Sequence, residues 1–515
     1  MQSNPLGIPD NKDIPHRWFI IVAVMLSTIM EILDTTIVNV SLPHMMGSLS
    51  ADRDEISWVL TSYIVAAGIF MPLTGFLVNR FGSRRLLLIN IIGFMLASGL
   101  CGISTTLPQI VFFRLLQGVF GASLVPLSQF ILRDTFPLKE QPKMMAIWGV
   151  GVMAAPIMGP TLGGYITDTL NWRWIFYINV PICIINFFLV LIFIRESPFK
   201  KEKIDWLGMF LVMCSIGSLQ IVLDRGQVDD WFNSDKICIL SVVFVVSAVV
   251  FFIHSFTHKK PIINLRLFKD RNFAIGTMIM AFFAAAILGS LTLFPQMLET
   301  LFGYTSNIAG ITMAPRGIAS ALMMAISSRL MVRGVQARWL VVIGLVVSSS
   351  TTWLLGTISL DADMRFFVWL GAIQGLGIGC FFVPLSTIVY TTLPHQSIAE
   401  AAGLFSFGRN IGNAMGISLL TTFLSRNTQF NWNIMGAHIR ASSYQLHHWL
   451  AMQHLSLNNP LTIARLGDLL NTQANFVAYA HTYKLAAIIL IAALILALFL
   501  KAPAIPTDLS DIPPN

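Results

Sequence analysis

Apolar residues are gathered along this chain into long runs that short polar segments separate. A helix needs about 20 apolar residues to cross the hydrocarbon core of a bilayer. Read at that length, the pattern predicts fourteen membrane-spanning helices, at residues 18–43, 56–78, 86–104, 108–131, 143–167, 174–194, 205–224, 237–256, 273–297, 306–328, 338–357, 365–390, 398–424 and 482–501. The predicted fold class is therefore an all-α integral membrane protein.

Two of the predicted helices share a short sequence pattern. The fourth contains Gln117-Gly118 followed by Val125-Pro126-Leu127-Ser128. The twelfth contains Gln374-Gly375 followed by Val383-Pro384-Leu385-Ser386, with a spacing that differs by one residue. If these helices correspond, two six-helix halves are related in parallel, and helices 7 and 8 are inserted between them. That is the repeat plan of the major facilitator fold.

This plan divides the chain into five parts. They are a cytoplasmic N-terminus at 1–17, an N-terminal six-helix half at 18–194, a linker with the two extra helices at 195–272, a C-terminal six-helix half at 273–501 and a cytoplasmic tail at 502–515. The C-terminal half includes a long external loop at 425–481. Apolar residues at partly helical spacing from Leu461 to Tyr483 predict a helix that runs into the last span.

Composition supports a membrane location. Hydrophobic residues make up 55% of the 515 residues and charged residues only 11%, whereas a soluble domain carries about 25% charged residues. The mean hydropathy of +0.72 agrees. The apolar run from Trp18 to Pro43 is far longer than a signal-peptide core of about 7–15 residues, so we expect it to remain as the first span.

The distribution of basic residues indicates the orientation of the chain. The net charge of +8 does not favour nucleic-acid binding, because the basic residues lie in short clusters between apolar runs. Connections on one side of the membrane carry roughly twice as many lysines and arginines as those on the other, and the more basic loops are normally cytoplasmic. We therefore expect both termini in the cytoplasm.

The first predicted helix contains two acidic residues. One of its faces is polar and carries Ser27, Thr28, Glu31, Asp34, Thr35 and Asn39. Acidic residues within a span usually face a protein interior or a wet cavity. Loss of hydration favours the neutral form of a carboxyl group, so Asp34 and Glu31 could bind and release protons during coupled transport. Alternatively, both are permanently paired with buried arginines.

Three arginines, Arg114, Arg316 and Arg409, fall inside predicted spans. Arginine keeps its proton in proteins, so each needs a carboxylate, carbonyl groups or water. Arg114 could bind substrate together with Gln117, act on an acid of the first helix, or form a fixed structural ion pair. Arg316 and Arg409 are candidates for lining the substrate cavity. Gly371 stands at the position of Arg114 in the twelfth helix, so the two halves are chemically unequal.

Two segments are candidates for gating. The connection between helices 2 and 3 combines glycines, which permit close packing and a tight turn, with arginines that could meet helix C-termini and carboxylates or simply anchor a cytoplasmic loop. Its candidate residues are Gly75, Asn79, Arg80, Gly82 and Arg84. The fifth helix is rich in small residues and prolines, which permit close approach and bending. Its candidates are Pro156, Gly159, Pro160, Gly163 and Gly164.

The sequence gives no sign of a cofactor or of an enzyme active site. The five cysteines lie in apolar runs without metal-ligand spacing, and five of the ten histidines lie in or beside the external loop, where polar surface is favoured over a metal site. No phosphate-binding Gly-Lys-Ser/Thr loop is present. We expect transport driven by a proton gradient rather than by ATP.

Several segments, in order, resemble one transporter family. They are Leu33–Pro43, Trp58–Tyr63, Gly75–Arg85, Arg114–Gly118, Gly159–Gly164, Trp172–Pro181 and Leu223–Phe232. They are similar to the motifs of the fourteen-helix drug:proton antiporters of the major facilitator superfamily, and among these to the EmrB-type inner-membrane pumps of tripartite efflux systems. Two residues depart from the family pattern: Asn79 stands where the superfamily usually has Asp, and His481 replaces an acid common in relatives.

The resemblance implies a secondary antiporter that exports hydrophobic drug-like molecules across the cell inner membrane by alternating access. It also implies two partners, a periplasmic adaptor protein and an outer-membrane channel. Asn79 makes a charge-based gate lock in the loop between helices 2 and 3 unexpected. Two other interpretations stay open at this point: a narrow exporter of one metabolite, toxin or siderophore, and a non-transporting membrane receptor or scaffold.

Overall fold

The computed structural model describes residues 16–137, 140–197, 205–258, 261–394, 397–440, 442–453, 455–456 and 458–501. Within these ranges all regular secondary structure is helical, which confirms the predicted all-α fold. The terminal tail at 502–515, nearly all of the N-terminal segment and the side chain of Pro160 lie outside the described residues.

Long helices occupy every predicted position. The N-terminal half consists of Arg17–Leu49 (α1), Trp58–Phe81 (α2), Ser83–Ile103 (α3), Leu107–Thr135 (α4), Gln141–Thr169 (α5) and Trp174–Phe193 (α6). The extra helices are Trp206–Arg225 (α7) and Asp235–Thr257 (α8). The C-terminal half consists of Arg271–Phe302 (α9), Ser306–Val332 (α10), Ala337–Leu355 (α11), Met364–Thr391 (α12), Ile398–His438 (α13) and Pro460–Ala497 (α14).

Of the helices in the described ranges, 12 are long and apolar enough to cross a membrane. The two long helices that are not among them are α5 and α13. The count of fourteen spans therefore stays a prediction, although the helices that it requires are present.

Proline accounts for local breaks in two helices. In α2 a short 3-10 segment, Met71–Leu73, interrupts the α-helix at Pro72. In α4 the α-helix is interrupted at Ala122 and Ser123 and resumes at Leu124. Pro126 has no N–H group to donate to the carbonyl of the residue four positions earlier, which is Ala122. The Val-Pro-Leu-Ser motif thus lies next to a bend in its helix.

The two halves contact each other near the end of the bundle that carries the basic loop between α2 and α3, which we call the basic end. Helix α5 packs there against α10 and α12, and α13 packs against α2 and α4. Near the start of α5, the Trp148 ring stacks on Phe382 of α12, with centroids 5.9 Å apart. Gly149 lies beside Met324 of α10. The halves are therefore held together at the basic end.

The segment at 425–481 is largely helical. Helix α13 has 41 residues, a length of about 60 Å, which is about twice the hydrocarbon thickness. A short helix, Tyr444–Met452, follows it. Helix α14 begins at Pro460, so the helix predicted from Leu461 to Tyr483 is present and is continuous with the last span. Hydropathy alone placed the start of that span at 482, because the first half of α14 is polar.

Candidate functional site

A buried carboxylate, Asp34 of α1, forms the centre of the N-terminal half. Its oxygens accept hydrogen bonds from Arg114 Nη1 of α4, from Gln117 Nε2 at 2.9 Å and from Asn179 Nδ2 of α6 at 3.0 Å. Three helices thus converge on one side chain. The structure brings Asp34 of α1 together with Arg114 and Gln117 of α4, which the sequence had named only as separate candidates.

Arg114 is fully buried, and its guanidinium donates several hydrogen bonds. Besides Asp34, its Nε donates to the Val59 carbonyl oxygen at 3.0 Å and its Nη1 to Gln117 Oε1 at 2.8 Å. Its guanidinium lies 4.4 Å from the centroid of the Tyr63 ring. A charged group in a low-dielectric interior is stable only with a counter-charge and hydrogen bonds. Arg114 and Asp34 supply each other's counter-charge.

Sequence reasoning assigned no role to Asn179. It lies in the Trp172–Pro181 segment that the family resemblance quoted. In the structure its amide also donates to Ser98 Oγ of α3 at 3.1 Å, and Ser98 in turn donates to the Phe176 carbonyl. Asn179 therefore connects Asp34 to α3 and α6.

Glu31, the second acid of α1, has different surroundings. It is buried, yet no hydrogen bond or ion pair to its carboxylate is found among the described residues. The charges that act on it are those of Arg409, on α13, and of Asp34. Because α13 belongs to the C-terminal half, the charge of Arg409 acts on Glu31 from the other half of the molecule. The two acids are thus unequal: Asp34 is paired within its own half, whereas Glu31 has no direct partner among the described residues.

Asn39 does not join this network. Its side chain is exposed and donates to the Thr35 carbonyl of its own helix at 3.3 Å. It lies on the same polar face of α1, one turn beyond Thr35.

The corresponding region of the C-terminal half repeats the packing but not the charges. A Cβ atom added at Gly118 of α4 would lie 2.5 Å from the Tyr63 carbonyl oxygen of α2. One added at Gly375 of α12 would clash with the Arg316 carbonyl oxygen of α10. Both glycines thus permit the same close approach of two helices, as expected if α4 and α12 correspond.

Arg316 of α10 is buried beside that contact. Its guanidinium lies 4.9 Å from the centroid of the Phe294 ring of α9. Among the described residues it has no hydrogen bond or ion pair, and its Nε is a buried donor without an acceptor. Gln374, the counterpart of Gln117, donates to Thr352 of α11 instead, at 2.9 Å.

The structure places Gly75, Asn79 and Arg80 in the last turns of α2 and Arg84 in the first turn of α3, with Gly82 between the two helices. A Cβ atom at Gly75 would clash with the Glu400 backbone of α13, and Asn79 Nδ2 donates to Glu400 Oε1 at 3.2 Å. Gly82 has a positive φ of 84°. The Arg84 backbone N–H donates to Glu196 Oε1 at 3.0 Å, and its side chain donates to a carbonyl at the end of α6. Arg80 lies 5.8 Å from the Phe81 ring centroid.

The glycines of α5 pack against the outer part of α1. A Cβ atom at Gly159 would clash with Thr36 Oγ1, and one at Gly163 would lie 2.8 Å from Ile37 Cγ1. Gly164 is less constrained, with Val40 Cγ1 at 3.8 Å. Pro156 is half-buried. Gly159 and Gly163 are thus the residues that close packing of α1 and α5 requires.

Arg133 is a site residue that sequence reasoning missed. It lies just beyond the span predicted at 108–131, but the structure places it, buried, in the last turn of α4. Its guanidinium donates to the Ser386 carbonyl of α12 and lies 4.1 Å from the centroid of the Tyr390 ring. The Tyr390 hydroxyl donates to Gln129 Oε1 of α4 at 3.0 Å. These contacts join the halves at the basic end.

Comparisons with known proteins agree with this architecture. The family model of the Major Facilitator Superfamily matches residues 24–417. The multidrug export protein EmrB of Escherichia coli strain K12 is 38% identical over 78% of this chain and 79% of its own length. The fatty acid resistance protein FarB of Neisseria gonorrhoeae is 35% identical over 97% of this chain and 98% of its own length.

Solved structures show the same fold. The human organic anion transporter MFSD10 superposes with a TM-score of 0.60 at 15% identity, covering 92% of this chain and 100% of its own. The proton:xylose symporter XylE, of the same superfamily, gives a TM-score of 0.58 at 14% identity, covering 92% of this chain and 94% of its own.

Proposed function

Because this chain belongs to the major facilitator superfamily, with multidrug export proteins among its relatives, it is a drug efflux transporter, and we propose that it is a proton-coupled antiporter. It exports hydrophobic drug-like molecules across the inner membrane by alternating access, with both termini in the cytoplasm. The observation that carries the proposal is the pair of buried, unequal acids on α1. One is paired with Arg114, and the other is buried without a direct partner among the described residues and is subject to the charge of Arg409 in the opposite half.

Coupling follows from the position of Glu31. An ionised Glu31 attracts Arg409, so it favours conformations that bring α1 and α13 together. A proton on Glu31 removes that attraction and shifts the balance between conformations. A ligand changes such an equilibrium only through its different affinity for the two states. A proton on Glu31 meets this condition, because the distance between the halves changes during alternating access.

Asp34 supports the same cycle in a second way. Protonation of Asp34 would leave Arg114 without its counter-charge, which is unfavourable in a buried site. Proton binding there and a rearrangement of Arg114, Gln117 and Asn179 must therefore occur together. In the state described here the halves are joined at the basic end, which is the cytoplasmic end in the proposed orientation.

We also propose that the protein is the pump of a tripartite system, with a periplasmic adaptor and an outer-membrane channel. The family resemblance supports these partners, and so does the length of α13 and α14. Together with the short helix Tyr444–Met452, their polar ends form a helical extension beyond the bilayer on the side opposite the basic end.

A narrower exporter of amphipathic acids is the second candidate. The observation that favours it is the relative named for fatty acid resistance, which aligns over 97% of this chain. Accumulation assays with several unrelated dyes and inhibitors separate the two. Protection against one chemical class alone would support the narrow exporter.

The decisive test of coupling uses liposomes that contain only this protein. Ethidium should move against its gradient when a pH gradient is imposed, and transport should stop when the pH gradient is collapsed. An ethidium transport rate that does not change with the pH gradient would overturn proton coupling.

A further inference from the structure

Arg316 is a buried cation whose counter-charge is missing from the described part of the chain. Only 6% of its surface is exposed, and its Nε has no hydrogen-bond acceptor. The Phe294 ring provides a cation–π contact at 4.9 Å. A buried charge without a partner is strongly unfavourable, and arginine does not lose its proton to relieve the cost. Something must therefore neutralise Arg316 during part of the transport cycle.

The acidic residues of the C-terminal half do not supply this partner. Asp361 and Asp363 lie exposed in the connection before α12. Helices α9 to α14 contain only three acidic residues, which are Glu299, Glu400 and Asp468. Glu400 contacts Gly75 and Asn79 at the basic end. Glu299 lies in the last turn of α9, and Asp468 lies in the polar first half of α14. None of them forms an ion pair with Arg316.

The N-terminal half shows what a neutralised version of this site looks like. There the guanidinium belongs to α4, contacts α2 and is paired with Asp34 of α1. In the C-terminal half the guanidinium comes from α10, the counterpart of α2, and Phe294 of α9 is its neighbour. Gly371 occupies the position of Arg114 and leaves room for a small side chain beside Arg316. A Cβ atom added there would meet nothing closer than Arg316 Cβ at 3.8 Å and Arg316 Nε at 3.9 Å.

We propose that Arg316 binds the carboxylate of an organic anion that the protein exports. The guanidinium offers the planar fork of donors that matches a carboxylate. The Tyr483 hydroxyl of α14 is a second donor, since it is buried without a hydrogen-bond partner among the described residues and is electrostatically coupled to Arg316. The Phe294 ring supplies an apolar surface for the body of the ligand. The inference rests on the proposed export function and names amphipathic organic anions as a substrate class.

The first test compares two probes with one apolar body. Purified protein is titrated by calorimetry at pH 7.5 with 1-naphthaleneacetate, which is an anion, and with 1-naphthaleneacetamide, its neutral analogue. A hydrogen-bonded charge pair at a buried site predicts that the anion binds at least about tenfold more tightly. Equal affinities for the two probes would contradict the proposal without the need for any variant.

The second test supplies the missing acid from within the chain. Gly371→Asp places a carboxylate beside Arg316 and should weaken 1-naphthaleneacetate binding at least about tenfold by competition, since it forms the internal ion pair. Gly371→Asn has almost the same size and should retain binding. Unchanged binding of 1-naphthaleneacetate by a folded Gly371→Asp variant would overturn the site. Loss in both variants alike would also overturn it, because crowding rather than charge would then be the cause.

Arg316→Gln provides the complementary result. It should reduce 1-naphthaleneacetate affinity to that of 1-naphthaleneacetamide, and retained preference for the anion would contradict the site.

A transport measurement separates this inference from the proposed function. Export of ethidium, a cation, is followed in liposomes that contain only this protein. If the wild-type protein exports ethidium in response to the pH gradient but binds 1-naphthaleneacetate and 1-naphthaleneacetamide equally well, the anion site is refuted and the export function is retained. Absence of any proton-driven ethidium export would instead count against proton coupling.

Discussion

At the scale of single residues, the two acids of α1 have different physical roles. Asp34 is part of a buried ion pair and accepts hydrogen bonds from two other helices, α4 and α6, whereas Glu31 is buried without a direct partner among the described residues. Removing one member of a buried ion pair costs about 3–5 kcal/mol, because the other charge is left uncompensated. Removing an unpaired buried charge carries no such cost.

This difference gives a prediction for a matched pair of variants. Asp34→Asn should abolish proton-coupled export and lower stability by about 3–5 kcal/mol, since Arg114 loses its counter-charge. Glu31→Gln should abolish the response of export to the pH gradient and leave thermal stability unchanged or improved. Ethidium export in liposomes and thermal unfolding of purified protein measure both effects. Full transport by a well-folded Asp34→Asn protein would exclude its role in coupling.

Arg114 is expected to require its guanidinium group and not only its charge. Arg114→Ala should impair transport, and Arg114→Lys should restore it only in part. Lysine can keep an ion pair with Asp34, but it cannot also donate to the Val59 carbonyl and stack on Tyr63 in the same way. Transport rates of the Ala and Lys variants at equal expression test this, and wild-type rates for the Lys variant would show that a point charge is sufficient.

At the scale of helices, the closed basic end depends on glycine. Helix α2 approaches α13 so closely at Gly75 that a Cβ atom there would overlap the Glu400 backbone. Gly75→Ala should therefore separate the two helices, destabilise the closed basic end and reduce the rate of ethidium export. Gly99→Ala, on α3, is the matched control, since nothing lies within 4 Å of its added Cβ. Equal export rates for the two variants would show that this contact does not limit transport.

The same scale shows what sequence could and could not predict. Apolar runs located the helices and the polar face of α1, because both depend on local composition. Which side chains would meet depends on contacts between distant helices, so Asn179 and Arg133 received no role. Hydropathy also missed the first half of α14, because its polar residues do not form an apolar run. The pairing of Arg114 with Asp34 was one of several options that the sequence left open.

At the scale of the whole molecule, one feature is not needed by a transporter made of two six-helix halves alone. It is the helical extension, which consists of α13, the short helix Tyr444–Met452 and the start of α14. Its tip exposes large apolar side chains: Tyr444 is 78% exposed, Met452 69% and Leu461 77%. Exposed apolar groups that lie together usually mark an interaction surface. We expect the adaptor to bind there, although a lid over the outer mouth of the cavity would place the same residues at the same end.

Removing the tip distinguishes docking from a lid. A Cβ atom added at Gly436 of α13 would lie 3.4 Å from Leu470 Cδ2 of α14, so the two helices are packed together at this level. Residues 438–468 can therefore be replaced by a short Gly/Ser linker that leaves the packed base intact. If the tip binds the adaptor, the deletion should weaken adaptor binding and cellular resistance while liposomes with the pump alone transport ethidium at the wild-type rate. A lid predicts the opposite pattern, because closing the cavity requires no partner. Lost transport in liposomes together with unchanged adaptor binding would therefore refute docking at the tip and assign the extension to the transport cycle itself.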